Sequence, residues 1–419
     1  MLRGLNHFQM ALVLKANDAK SEVFSANMND EDVDKICERT CLKKGSWPFR
    51  YLGIPICNKK LSRDECELLI HRMTTTISSW QSRHISFAGR LQLVNAVLMS
   101  ICTYWMQILI LLIGVIKEIN RIYRKFLWEG HLHGQKPGYV GWNQVCKPKS
   151  KSGLGIKDLN LWNNLVVCKI VWQIAEKKEY IWVKWVYTVY IKQQSWWDYQ
   201  PSILASWIWR NICSAKKRLL KIDRTGWWPD SGKDFKIGKI YNKIKGKDEK
   251  MKWASLTWIK VSIGKHCFIW WLAVQERLMV TKRLFNYGIS DDPWCELCGL
   301  QEETHEHLFF KCSIAHEIWK ATFSCLQVTR RWSNMSEMIK WCKRRCRTSK
   351  FRSTVIIAAC AAVIYSIWQA RNQALWEHRR QNPDYIDAQV GYFVAKRCHV
   401  LCNKKFNVED KTWLANIVV

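Results

Sequence analysis

The sequence predicts a mainly α chain with small β elements, assembled from several parts. Three observations carry this expectation. Apolar residues recur at helical spacing, first in Leu69, Ile70, Met73, Ile77 and Trp80, and again in Ile116, Ile119, Ile122, Tyr123, Phe126 and Leu127. Glycine and proline then gather at Gly130, Gly134, Pro137, Gly138, Gly141, Pro148, Gly153 and Gly155, marking an irregular connector between helical regions. Finally, 419 residues at 48% hydrophobic content are enough for two or three domains with real cores, which excludes a disordered chain.

Taken in order, residues 1–50 mix short apolar runs with the acidic patch from Asn29 to Asp34, which reads as a solvated helix start rather than a metal cluster. Residues 60–128 form a helical unit. Inside it, Leu91 to Ile116 are 26 residues without a charge, long enough to span a bilayer. The competing reading is two helices of a soluble protein meeting near Tyr104, because Gln92, Asn95 and Gln107 sit poorly in lipid. The Gly153-Leu-Gly155 pair lacks a third glycine and a preceding strand, so it reads as a turn and not a phosphate loop. Residues 159–220 are Trp-rich and helical in pattern. Tryptophans beside Lys and Arg can stack on bases, but cores and helix seams are the simpler use for Trp162, Trp172, Trp182, Trp185, Trp196, Trp197, Trp207 and Trp209. A β-hairpin is expected next, Thr225 to Trp228 with Asp234 to Ile237, turning at Pro229 to Lys233. Helices follow over 255–290. Near the end, Lys343, Arg344, Arg345, Arg347, Lys350 and Arg352 precede a second uncharged run, Ser353 to Ala370, read as a buried or capping helix.

The balance of 66 Lys plus Arg against 35 Asp plus Glu gives a formal charge of +31. Such a chain is drawn to polyanions, nucleic acid above all. Candidate phosphate contacts are Arg90, Lys343, Arg344, Arg345 and Arg347, although the C-terminal basic run reads equally as a solvated face. Eighteen cysteines are scattered over the chain, and Asn6, His7 and Gln9 interrupt any signal-peptide core. Both facts point to a reduced intracellular protein, in nucleus or cytoplasm, and against a secreted one.

One stretch concentrates possible chemistry: CELCGLQEETHEHLFFKC, from Cys295 to Cys312. A C-x2-C pair lets two thiolates approach one zinc ion from a single tight turn, and zinc takes four tetrahedral thiolate and imidazole ligands. Cys295 and Cys298 supply that turn, and Cys312 is a third ligand. His307 and His305 compete for the remaining place. His307 is preferred because Leu308, Phe309 and Phe310 follow it as a packing segment, whereas His305 lies among Glu302, Glu303 and Glu306. Four protein ligands close the coordination sphere, so the zinc would be structural and no catalytic water has a place on it. A zinc deaminase is excluded, since the C-x2-C precedes the histidines.

In order along the chain, Lys20-Ser21, PFRYLGIP (Pro48 to Pro55), Ser79-Trp80, SFAGRLQL (Ser86 to Leu93), Tyr104-Trp105, FLWEG (Phe126 to Gly130), Trp142, VCKPK (Val145 to Lys149), Gly153-Leu-Gly155 and the Cys295 to Cys312 stretch with Trp319 are landmarks. Together they resemble the C-terminal part of a plant non-LTR (LINE-type) retrotransposon reverse transcriptase, including its zinc-binding domain. The resemblance implies a palm C-terminal remnant at 1–50, a helical thumb-like region at 51–130, a Trp-rich helical connector at 131–220 and a zinc-binding module at 221–325; a basic segment and C-terminal helices occupy 326–419. It also lowers the weight of the membrane span, since the run from 91 to 116 corresponds to a thumb helix and a loop. Reverse transcriptases hold two metal ions on aspartates that precede the Lys20-Ser21 region, so this chain is expected to lack them and not to polymerise alone. The implied partners are RNA or an RNA/DNA duplex, with no small-molecule substrate. Two alternatives stand beside this: a non-catalytic subunit completing a polymerase whose palm is a separate chain, and a membrane-anchored zinc protein using 91–116.

Overall fold

A computed structural model of the protein describes residues 2–12, 17, 20–25, 28–57, 61–80, 84–132, 138–223, 234–245, 249–345, 350–401 and 408–415. The fold is mainly α with small β elements, as the sequence predicts. Two compact units are each built from three separate stretches: Met1–Thr75, Ile101–Asn120 and Leu159–Ile237 in the first, and Thr76–Ser100, Arg121–Asp158 and Gly238–Val419 in the second. The packing units are therefore not consecutive segments, unlike the five divisions drawn from sequence order.

In the first unit, the acidic patch does start a helix, Asp30–Thr40. The Asn29 side chain accepts from the Asp32 N–H at 3.0 Å, and Asp30, Glu31 and Asp32 place negative charge against the helix N-terminus. PFRYLGIP folds as an antiparallel hairpin, Phe49–Tyr51 paired with Ile54–Ile56. Its two turn residues, Leu52 and Gly53, both have positive φ (51° and 78°), the geometry of a tight I′ turn. Leucine is an unusual first residue there, which is why the sequence gives little hairpin signal.

The helix Leu159–Ala175 is buried on nearly all sides and packs along Trp207–Asp223. Within it, Trp162 and Trp172 serve the core, as do Trp196 and Trp209 beyond it, while Trp182, Trp185 and Trp197 stay exposed. Lys216 is buried: its ammonium donates to the carbonyls of Trp196 and Tyr199 and lies 4.1 Å from the Trp196 ring centroid, and burial pushes its pKa down. The uncharged run is not one span. It is helical from Phe87 to Ile108 with a π turn at Val94–Leu98, breaks over 109–112, and resumes in the helix Ile113–Glu129. The break falls a turn beyond Tyr104. Buried Asn163 secures it, accepting from Leu111 N–H at 3.3 Å and donating to Leu111 C=O at 3.1 Å. Asn163→Leu would orphan both backbone groups. It is expected to cost about 2 kcal/mol or more in denaturant unfolding, and a loss below about 0.5 kcal/mol would show that the break holds itself.

In the second unit, Ser86 caps the helix Phe87–Leu93 by accepting from Gly89 N–H, and Phe87 stacks on Phe268 at 5.3 Å. Gly153-Leu-Gly155 is a turn: Gly155 has φ +76°, and a Cβ on Gly153 would lie 2.0 Å from the Lys147 carbonyl oxygen, so only glycine fits. The helix Gly264–Val274 is buried from His266 to Ala273 and packs on Lys350–Glu377. That long helix packs in turn on Pro383–Leu401, which lies against Ser313–Cys325. No packing boundary falls at 325/326; the C-terminal helices share one core with the Cys/His region. Of the expected hairpin, 224–233 lie outside the described residues, 234–236 form no strand, and Ile237 begins the helix Ile237–Lys245. Two helices, Phe87–Ile108 and Phe351–Glu377, are long and apolar enough to cross a membrane. In the second, 78% of the most apolar window is buried, the condition of a core helix.

Candidate metal centre

The first half of the centre is a loop closed on itself. Cys295 N–H donates to Gln301 C=O at 2.9 Å, and Trp294 and Glu302 pair as an antiparallel bridge beside it. At the loop's tip Gly299 N–H donates to Cys295 C=O at 2.7 Å with φ +68°, a conformation that glycine adopts without strain. This turn carries Cys295 and Cys298. The backbone N–H groups of Leu297 and Cys298 point at the Cys295 sulfur and favour its thiolate.

The second half is a single π turn, His307–Lys311. Thr304 Oγ1 accepts from His307 N–H at 3.0 Å, and Cys312 N–H donates to His307 C=O at 2.8 Å. That bond across five residues sets His307 and Cys312 side by side, where an ordinary α turn would offset them. Cys312 then caps the helix Ser313–Cys325, whose N–H groups at Ile314 and Ala315 face its sulfur.

These two halves bring Cys295, Cys298, His307 and Cys312 together, with all four donor atoms within 4.8 Å of one another. Cys295 and Cys312 Sγ are 4.0 Å apart, and Cys298 Sγ is 3.3 Å from His307 Nε2. Ligands at zinc–sulfur distances of about 2.3 Å in a tetrahedron have edges of about 3.8 Å, so the donor separations need adjust by no more than about an ångström to fit the ion. Without a cation the Cys295–Cys312 pair favours a single thiolate, on Cys312. The thiol shared with Cys312 pushes the Cys295 pKa up and holds that of Cys312 down, while burial lowers that of His307. A divalent cation reverses this by drawing thiolate character onto all three sulfurs.

Gln301 fixes the imidazole: its Oε1 lies 3.1 Å from His307 Nδ1, so a proton on Nδ1 leaves the Nε2 lone pair facing Cys298. His305 is not among the four. It is half-buried despite its acidic neighbours in sequence, and burial pushes its pKa down to about 4. Proximity to acidic residues in sequence misjudged its surroundings, since Glu303 is itself buried.

Behind the loop lies an ion pair that the sequence did not reveal. Arg371, from the long C-terminal helix, donates from Nε to Glu303 Oε1 at 2.8 Å and from Nη2 to Thr281 Oγ1 at 2.8 Å. Thr281 N–H donates to the same Glu303 oxygen at 2.7 Å, and both charged side chains are at most 1% exposed. Glu303 N–H also donates to Pro293 C=O, tying the pair to the start of the metal loop.

The proposed phosphate contacts fare differently. Arg90 is a packing residue: it is buried, lies over the Phe87 ring, donates to Trp128 C=O, and meets Gly130 so closely that a Cβ there would lie 2.7 Å from its guanidinium. Its helical position beside an aromatic-rich core explains the burial. Lys343 is half-buried and Arg344 exposed on the helix Met335–Arg345; Arg345 ends that helix, and Arg347 lies outside the described residues. Asp291-Asp292, the one Asp-Asp in the chain, shapes a turn, with Asp292 Oδ1 accepting from Trp294 N–H.

Residues 235–319 match the family model described as zinc-binding in reverse transcriptase, which takes in the whole centre. A 188-residue stretch is 27% identical to an Arabidopsis thaliana protein whose name provisionally designates it a ribonuclease H protein. That match covers 44% of this chain and 30% of the relative, so the chain spans less than a third of that relative's length. Together the two matches support a retrotransposon-type protein that carries a reverse-transcriptase zinc-binding domain.

Proposed function

We propose that the protein is a zinc-stabilised, basic, nucleic-acid-binding derivative of a plant LINE-type reverse transcriptase, engaging RNA or an RNA/DNA duplex without polymerising by itself. The observation that carries this reading is the four-donor centre in a chain of charge +31. Three thiols and an imidazole would hold Zn2+ as a structural ion and leave no coordination place for a reacting water. The centre's work is to fix loops and helices, and the positive charge supplies attraction to phosphates. The thumb-like region, 51–130, would lie along the duplex. The described cysteines form no disulfide, which suits an intracellular, nuclear or cytoplasmic protein.

Binding of a structured RNA or an RNA/DNA hybrid, followed by fluorescence anisotropy, is expected to weaken by about a hundredfold or more between ~50 and ~200 mM salt, because several phosphates are neutralised. Salt-insensitive binding, or none, would remove the reading. Primer extension with Mg2+ or Mn2+ tests the catalytic half: templated synthesis by this chain alone would overturn it. Synthesis that appears only when a palm-bearing chain is added would favour the subunit reading.

A further inference from the structure

A second feature lies on the helix that Cys312 caps. Phe310, Trp319, Phe323 and Trp332 wall a cleft of about 260 Å3. Phe310 and Trp319 are near-parallel, 11° and 6.2 Å apart, while Trp332 stands edge-on to Trp319 at 5.4 Å and to Phe323 at 5.1 Å. Trp319 N–H is committed to Phe309 C=O, but the buried Trp332 N–H has no acceptor among the described residues. Lys320 and Arg331 line the same cleft, both exposed. Arg330 beside them is paired with Glu337, whereas neither Lys320 nor Arg331 has an acidic partner among the described residues.

We propose that this cleft receives one unpaired nucleotide of a single-stranded nucleic acid, with the base against the tryptophan rings and the adjacent phosphate on Lys320 and Arg331. The inference rests on the nucleic-acid reading above and narrows it to a place and a strandedness. The volume lies below the about 300–1,000 Å3 of pockets for drug-sized ligands and leaves room for one planar base. A paired base cannot enter it, because its faces are already stacked in the helix. Aromatic walls accept any base through its π face, and two exposed cations at the rim, without an acidic partner among the described residues, match the flanking phosphates. An acidic peptide would satisfy the rim but would leave the four-ring wall without a planar partner.

The test uses the full chain loaded with zinc. Fluorescently labelled single-stranded RNA and DNA oligonucleotides, and a duplex of the same sequence, are titrated against wild type and the double variant K320A/R331A. Both substituted side chains are exposed, so an unchanged melting temperature is the control for folding. Single-strand affinity, for RNA, DNA or both, is expected to fall about tenfold with the duplex changed less than about twofold. RNA carrying 4-thiouridine is expected to cross-link on irradiation to the peptide holding Trp319 or Trp332. Wild-type single-strand affinity in the double variant, or cross-links confined to other peptides, would overturn the cleft while leaving the general nucleic-acid reading in place. If wild type binds neither single strand nor duplex, that broader reading falls and takes this one with it. Binding of poly-glutamate that depends on Lys320 and Arg331, with no such dependence for oligonucleotides, would also overturn it.

Discussion

Chelation of zinc, or Cys298→Ser, is expected to unfold the region from Pro293 to Cys325 and to leave the first unit intact. Cys295, Cys312 and His307 are buried, with relative exposures of 1%, 0% and 4%. Without a cation these polar groups occupy an interior that offers them only one another, Gln301 and a few backbone N–H groups. The 295–301 loop has little apolar burial apart from Leu297, so the ion would supply its cohesion. Structural zinc contributes about 10–16 kcal/mol in finger peptides, as much as the whole stability of an ordinary domain at about 5–15 kcal/mol. Even the partial loss on removing one of four ligands should exceed what the local packing retains. Hydrogen exchange read by mass spectrometry separates the possibilities. Peptides spanning 293–325 should lose protection in a chelator or in the serine variant, and peptides from Leu159–Ala175 should not. Cys325→Ser, at an exposed cysteine outside the cluster, should behave as wild type. Unchanged protection of 293–325 with metal removed would mean that the four donors merely pack together.

The sequence showed the helical class and the four clustered donors because both write short-range signatures. Apolar period and a C-x2-C turn need only neighbours a few residues apart. What it concealed was long-range. Arg371 lies 68 positions beyond Glu303, directly after the uncharged run that ends at Ala370, and nothing local separates it from a solvent-facing arginine at a helix end. Arg90 erred in the opposite direction: a cation in a basic chain suggested phosphate, yet Trp128 C=O and the Phe87 ring surround it. His307 was preferred for the packing segment behind it, and the structure adds what the spacing could not show, a π turn and the Gln301 amide that aims the ring. The packing across the 325/326 division was hidden for a related reason. A family pattern that ends near Trp319 says nothing about which helices cover that domain's apolar face, and here Lys350–Glu377 and Pro383–Leu401 cover it.

Arg371→Ala should be the most damaging single change outside the four donors, at about 3–5 kcal/mol. The substitution leaves the Glu303 carboxylate fully buried with one strong donor left, the Thr281 N–H, and strands the Thr281 hydroxyl as well. Its cost is therefore mainly that of an uncompensated charge rather than of lost packing. That distinction is measurable. Replacing both partners, as in Arg371→Met with Glu303→Gln, removes the charge along with its counter-charge, and buried pairs exchanged for uncharged groups of similar size are often near neutral. The double variant should recover most of the stability lost by Arg371→Ala in urea unfolding. Because Glu303 N–H holds Pro293 at the entrance of the metal loop, Arg371→Ala should also weaken Co2+ binding followed by its thiolate charge-transfer absorption, and the double variant should restore it. If Arg371→Ala costs less than about 1 kcal/mol and leaves the cobalt titration unchanged, the C-terminal helix only covers the module and does not brace it. If instead stability falls while cobalt affinity holds, the ion pair supports the helical core alone and the loop keeps its shape through the Cys295–Gln301 and Cys312–His307 backbone bonds.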